Sequence, residues 1–166
     1  MAAAPQCLTV DDFERQYGHE NGWEYWFGEA VQKPTTTWAH SILQQLIAEL
    51  IRQAGYVTGP GVDLRATPDC RPRLDVSGVL KREGRYSRTP AIAIEILSDE
   101  GGRYILEKCQ NYQKVGIRQV FVLDPESHRI YEWNKGLVER TDLSLANGVT
   151  ISSETIWQEF DRRMNS

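Results

Sequence analysis

Residues 91–98 read AIAIEILS, a near-continuous apolar run with one carboxylate, Glu95, in its middle. Such a run is the pattern of a central strand buried on both faces. An ionised acid left unpaired there is costly, so Glu95 must be protonated, paired or bound to a cation. Asp75 has a similar setting one segment earlier, in RLDVSGVL. If the two segments pair as strands, both acids converge at one end of a sheet.

The flanking segments supply the rest of that sheet. Thr9 followed by DDFERQYG predicts a short capped helix with acids in its first turn. Residues 23–31, WEYWFGEAV, are aromatic-rich and strand-like, and suggest one or more extra N-terminal strands. From Thr37, the positions Trp38, Ile42, Leu43, Leu46, Ile47, Leu50, Ile51 and Ala54 recur at helical spacing, and Gly55 closes the helix. Strands are expected at 56–65, 74–81 and 91–97, then a helix from Arg103 to Val115, then a buried strand at 119–124 ended by Pro125. Segments 127–133 and 137–143 suggest a hairpin, and SSETIWQEF a capped helix. The central order is helix, strand, strand, strand, helix, strand. It predicts a mixed sheet flanked by helices, in the α/β or α+β class. At 166 residues without a Pro/Gly/Ser-rich linker, the chain is expected to be a single domain.

Two hard oxygen ligands with open positions suit Mg²⁺, which keeps several waters and binds through a carboxylate or two plus substrate phosphate. The plainer alternative is a structural ion pair of either acid with Arg73 or Lys108. Lys108 and Tyr112 lie four apart on the second core helix and share a face. Ile105, Tyr112 and Val115 mark its buried side, which puts Lys108 close to the sheet. A lysine there can orient a nucleophilic water or neutralise a phosphorane.

Other signals are weaker. The formal net charge of −4 argues mildly against a strong nucleic-acid binder, although local basic clusters remain compatible with it. One such cluster is the stretch 81–88, KREGRYSR, which reads first as a solvated hairpin tip. Trp23, Trp26 and Trp38 can stack bases, but aromatic residues at this spacing usually belong to a core. Three scattered cysteines, none at CxxC spacing, suggest neither a zinc site nor a disulfide framework. The start of the sequence lacks the pattern of a leader, no stretch is long enough to cross a bilayer, and a reducing cytoplasm is the expected location.

The blocks LTVDDFE, GEAVQKPTTTWAHSILQQLIAEL, RLDVSGV, AIAIEILS and EKCQNYQKVGIRQVFVLDPESHRIYEW follow one another in this order. Together they resemble the Uma-two family of restriction-endonuclease-like proteins, a branch of the PD-(D/E)XK nuclease superfamily. The resemblance runs from Leu8 to Phe160, and the last two blocks are its specific part. It implies that Asp75 and Glu95 are the two metal-binding acids. Leu97 stands where the usual ExK lysine would be, and relatives with this pattern take their lysine from the following helix, where Lys108 matches. Glu29 matches a family acid that joins the metal site, and His40 also matches a family position. Three places depart from the pattern: Leu74-Asp75 replaces Pro-Asp, Phe27-Gly28 replaces Asp-Gly, and DEGGRY after Ser98 lacks the usual Pro-Ser-Thr character.

These readings combine into an expected Mg²⁺-dependent endonuclease acting on DNA, with Mn²⁺ able to substitute. Asp75, Glu95 and Glu29 would hold metal, and Lys108 would assist the attacking water. A carbonyl near Ile96 would complete the coordination, and a homodimer is implied by resemblance alone. The alternatives are a catalytically silent nuclease-fold module for binding or assembly, and a metal-independent protein with a buried Asp–Lys pair.

Overall fold

Three side-chain caps fix where helices begin. Thr9 accepts from Asp12 N and starts α1 (Val10–Tyr17), and Thr37 accepts from His40 N and starts α2 (Trp38–Gln53). Ser152 does the same for Thr155 N at the head of the C-terminal helix. The computed structural model describes residues 7–20, 22–33, 35–63, 70–80, 89–98 and 102–166. The basic stretch 81–88 and the start of the segment after Ser98, residues 99–101, lie outside the described residues.

The strand-like aromatic segment at 23–31 is a hairpin of two strands. Strand β1 (Trp23–Trp26) turns through Phe27 and Gly28, both at positive φ, into β2 (Glu29–Gln32). A two-residue turn with both φ positive matches the twist of an antiparallel pair, and only Gly28 adopts that conformation without steric cost. A short strand that the sequence reading missed, β4 (Cys70–Arg71), pairs with the other side of β1.

The main sheet has six strands in the order β3-β5-β6-β7-β8-β9. These are β3 (Val57–Asp63), β5 (Arg73–Val79), β6 (Ile92–Ile96), β7 (Gln119–Asp124), β8 (Arg129–Trp133) and β9 (Leu137–Arg140). Only β6 and β7 run parallel, joined through α3 (Gly102–Lys114), because parallel neighbours need a crossover connection. The sheet is therefore mixed, and the core order αβββαβ is present around the additional β4. The expected hairpin around Asn134–Gly136 is formed by β8 and β9, with its second strand ending at Arg140. After β9 the chain leaves the sheet, and β10 (Asp142–Ser144) pairs instead with β11 (Thr150–Ser152), ahead of α4 (Ser153–Met164).

Each face of the sheet has its own core. On one side Leu43, Leu46, Ile47 and Ile51 of α2 pack with Ile156, Trp157 and Phe160 of α4 over Val76, Ile92, Ile94, Phe121 and Leu123. Gly78 permits this approach, since a Cβ there would lie 3.2 Å from Ile51 Cγ2. On the other side Ile105, Cys109 and Tyr112 of α3 pack with Trp26, Ala93, Val120 and Val122. Hence β6 is buried along its whole length, as the apolar run predicted. Among the described residues, no helix is long and apolar enough to cross a membrane.

Candidate active site

Strands β5 and β6 pair antiparallel, and their ladder ends with Val76 opposite Ile94. One step further on lie Asp75 and Glu95. The Ile96 N–H goes to the Asp75 carboxylate, Oδ2 at 2.9 Å. Asp75 is thus fastened to the backbone beside Glu95. Its other partners come from two more elements. His40 of α2 places Nε2 3.1 Å from Oδ2, and Lys33, just beyond β2, donates to Oδ1 at 2.9 Å. Gln44 of α2 secures the strand itself by donating to the Asp75 carbonyl at 2.7 Å.

Glu95 points toward α3. Tyr112, fully buried, donates its hydroxyl to Oε1 at 2.7 Å, and Lys108 Nζ lies 3.7 Å from Oε2. The four-residue spacing of Lys108 and Tyr112 puts both on the helix face that meets β6. Ile105 and Cys109 complete that buried face.

A third acid joins these two, and it is Glu24 rather than Glu29. Glu24 and Trp26 share one face of β1 by strand periodicity, and Trp26 Nε1 donates to Glu24 Oε2 at 3.3 Å. Lys108 Nζ lies 3.0 Å from the same oxygen, while Arg73 N donates to Oε1 at 2.7 Å. Lys33 Nζ stands 4.0 Å from Oε1. Glu24 is fully buried. Glu29, proposed from resemblance as a metal ligand, is instead exposed on β2, across the turn from Trp26. The turn at Phe27-Gly28 sends the chain back along the edge of the three-stranded sheet and leaves Glu29 outside. The sequence carried a signal for Glu24, a lone acid among Trp23, Tyr25 and Trp26, of the same kind that singled out Glu95.

The result is a continuous row of alternating polarity: His40, Asp75, Lys33, Glu24, Lys108, Glu95, Tyr112. Burial acts on Asp75, Glu95, Lys108 and Tyr112, and their neighbours decide the outcome. For Asp75, burial opposes ionisation, but the His40 hydrogen bond, the Lys33 ammonium and the Ile96 N–H outweigh it and hold the carboxyl well below its ordinary range. For Glu95, burial and the nearby Asp75 charge exceed the pull of Lys108 and push the group up to about 7. Burial disfavours the charged form of Lys108, yet Glu95 and Glu24 keep its ammonium more firmly protonated than usual. Burial and the Glu95 charge likewise keep the Tyr112 phenol a donor. Two adjacent carboxylates are therefore driven apart, one firmly ionised and one poised near neutrality, a pattern common at functional sites.

The donors around this row are hard oxygens. Among the described residues, no group of three or more His, Cys, Asp and Glu side chains is arranged to hold a metal ion. Asp75 and Glu95 alone provide two carboxylates, which matches Mg²⁺ bound through one or two protein acids with water and phosphate filling the remainder. Trp38, considered as a core or stacking residue, is 82% exposed at the first turn of α2, whereas Trp26 is buried against Tyr112.

Among curated proteins, none matches this sequence. Among solved structures, the chain is similar to that of "a putative nuclease belonging to DUF820" from Anabaena variabilis ATCC 29413, with a TM-score of 0.76 at 18% identity. The match covers 92% of this chain and 99% of the other, and at that identity it speaks for the shared fold alone. The sequence pattern of the Uma2 family, described as "Putative restriction endonuclease", matches residues 10–165. The chain belongs to the Uma2 family of restriction-endonuclease-like nucleases.

Proposed function

We propose that this protein is a Mg²⁺-dependent endonuclease that hydrolyses phosphodiester bonds in DNA, with Asp75 and Glu95 as the metal-binding acids. The observation that carries this reading is the buried pair itself. A carboxylate held ionised and a second pushed up to about 7 sit at the end of neighbouring central strands, beside an ammonium on α3. Such an arrangement is expensive for a purely structural role, because a well-packed apolar cluster would serve stability at least as well.

The bound ion supplies Lewis acidity toward a water and the scissile phosphate. The chain's own groups do the positioning. His40 and the Ile96 N–H fix the orientation of Asp75, while Tyr112 holds Glu95 Oε1 and leaves Oε2 facing Lys108. Glu24 anchors Lys108, whose ammonium orients the attacking water or offsets charge gathering on the phosphate. In-line attack by the water forms one P–O bond as the opposite one breaks; the water gives up a proton to solvent and the departing oxygen takes one up. Cytoplasmic DNA is the substrate in this reading.

The test is cleavage of supercoiled plasmid in Mg²⁺ or Mn²⁺ by the wild-type chain and by Asp75→Ala, Glu95→Gln and Lys108→Met. The proposal expects losses of about 10²-fold or more in each variant, the scale of removing one electrostatic contact to a transition state. Undiminished, metal-dependent cleavage by Asp75→Ala and Glu95→Gln together would overturn it. One observation favours a second reading, a silent module that keeps the nuclease fold: Lys33 and Lys108 already neutralise much of the acid cluster. That reading expects no cleavage by the wild type and no saturable metal binding.

A further inference from the structure

Lys33 was not among the residues that sequence or resemblance brought forward, yet its ammonium sits in a small cage of oxygens. It donates to the Arg73 carbonyl at 2.6 Å and to Asp75 Oδ1 at 2.9 Å, with Glu24 Oε1 at 4.0 Å. The two oxygens of Asp75 are used differently. Oδ2 takes both the His40 ring nitrogen and the Ile96 N–H, whereas Oδ1 takes Lys33.

We propose that Lys33 is an exchangeable internal cation, which holds Asp75 Oδ1 and must release it for a divalent ion to bind there. The inference rests on the metal-binding reading of Asp75 and Glu95 given above. An ion coordinated to Oδ1 at about 2.1 Å would stand no more than about 5 Å from an ammonium still bonded to that oxygen. Like charges so close in a buried site repel strongly, so the two occupants exclude each other.

The chain is built to let this happen. The Lys33 backbone is pinned, its N–H donating to the Gly22 carbonyl at 2.6 Å, so departure requires only rotation of a flexible four-carbon stem. Its side chain is 17% exposed, against 8% for Lys108, which places Lys33 at the solvent edge of the row. Lys108 is held differently, on a helix between Glu24 and Glu95, and stays in place during the exchange. Lys33 therefore orients Asp75 before metal arrives and lowers the apparent affinity for metal, in the manner of any competing occupant.

The plain alternative is a permanent ion pair that metal leaves undisturbed. Amine-reactive labelling of the full chain, mapped by peptide mass spectrometry with and without saturating Mn²⁺, separates the two. The exchange predicts that Lys33 labels several-fold faster with Mn²⁺, while Lys108 stays slow and the exposed Lys114 and Lys135 do not change. Calorimetric Mn²⁺ titration adds a second readout. Lys33→Met should bind Mn²⁺ roughly tenfold more tightly than wild type, the scale of losing one charge-assisted competitor. Unchanged Lys33 labelling in a protein that demonstrably binds Mn²⁺ overturns the exchange and leaves the metal site standing. Equal Mn²⁺ binding by wild type and Asp75→Ala overturns the metal site, and the exchange with it.

Discussion

Replacing Glu95 by glutamine should stabilise the metal-free protein at pH 8 and leave its stability at about pH 4 nearly unchanged. Glutamine keeps the shape and retains a carbonyl oxygen to accept from Tyr112, but it carries no charge into a fully buried strand. The native carboxyl titrates near 7 against an ordinary value of 4.5, because burial and the Asp75 charge disfavour its ionised form. Between those two values the folded chain retains a proton that the unfolded chain has released. Stability from this group is thus complete below about pH 4.5 and is lost as pH rises through about 7. At about 1.36 kcal/mol per pH unit, the ionised side chain costs the fold ~3 kcal/mol at pH 8. Urea unfolding in EDTA at both pH values reads this directly, as a gain for Glu95→Gln at pH 8 of about 1–2 M in midpoint. The other titrating groups are common to both proteins, so the difference between them isolates Glu95. A variant that tracks wild type at both pH values, or is destabilised at pH 8, would mean that the Glu95 charge does not cost the fold stability.

Four further outcomes follow from the same contacts. Lys108→Met removes the cation shared by Glu24 and Glu95 and should cost about 3–5 kcal/mol, measured by urea unfolding; a loss under 1 kcal/mol would mean that these acids do not depend on it. Tyr112→Phe takes away the hydroxyl on Glu95 Oε1 and should cost roughly 2 kcal/mol at pH 8, where Glu95 is charged. An unchanged melting temperature would contradict that bond. Glu24→Gln should damage cleavage far more than Glu29→Gln, because only Glu24 touches Lys108, and equal plasmid-nicking rates for the two variants would argue against this assignment. The Cys109 thiol, buried and pushed up to about 12, should resist iodoacetamide at pH 8 in the native state while the exposed Cys7 is modified. Peptide mapping that finds Cys109 alkylated without unfolding would contradict its placement.

Much of the fold was legible because local signals agreed with one another. Strand β7 matches its expected bounds, since an apolar run ended by Pro125 admits little else. The caps at Thr9, Thr37 and Ser152 mark helix starts through chemistry confined to three or four residues. Trp38 misled, because it continues the apolar spacing of α2 by one turn but projects from the helix start into solvent. The hairpin at Phe27-Gly28 was hidden because Phe27 is an unusual residue for positive φ. That one turn decided which glutamate enters the site.

Within the candidate site, Asp75, Glu95 and Lys108 stood out because each is a charge in an apolar periodic setting, and the structure places Lys108 beside Glu95 and Asp75 on the neighbouring strand. Lys33 could not be found this way. It lies outside any regular element, in a polar stretch before Pro34, and only the pairing of distant segments carries it to Asp75, 42 residues away. Long-range contacts made by loop residues leave no period in a sequence.

The most direct test of the central claim is a crystal of the protein soaked in Mn²⁺, with the anomalous signal of the ion used to locate it. The expected result is a peak within about 2–2.5 Å of carboxylate oxygens of both Asp75 and Glu95, with the Lys33 ammonium turned away from Asp75. A fully soaked crystal with no peak between these acids, and with Lys33 still bonded to Asp75, would contradict it.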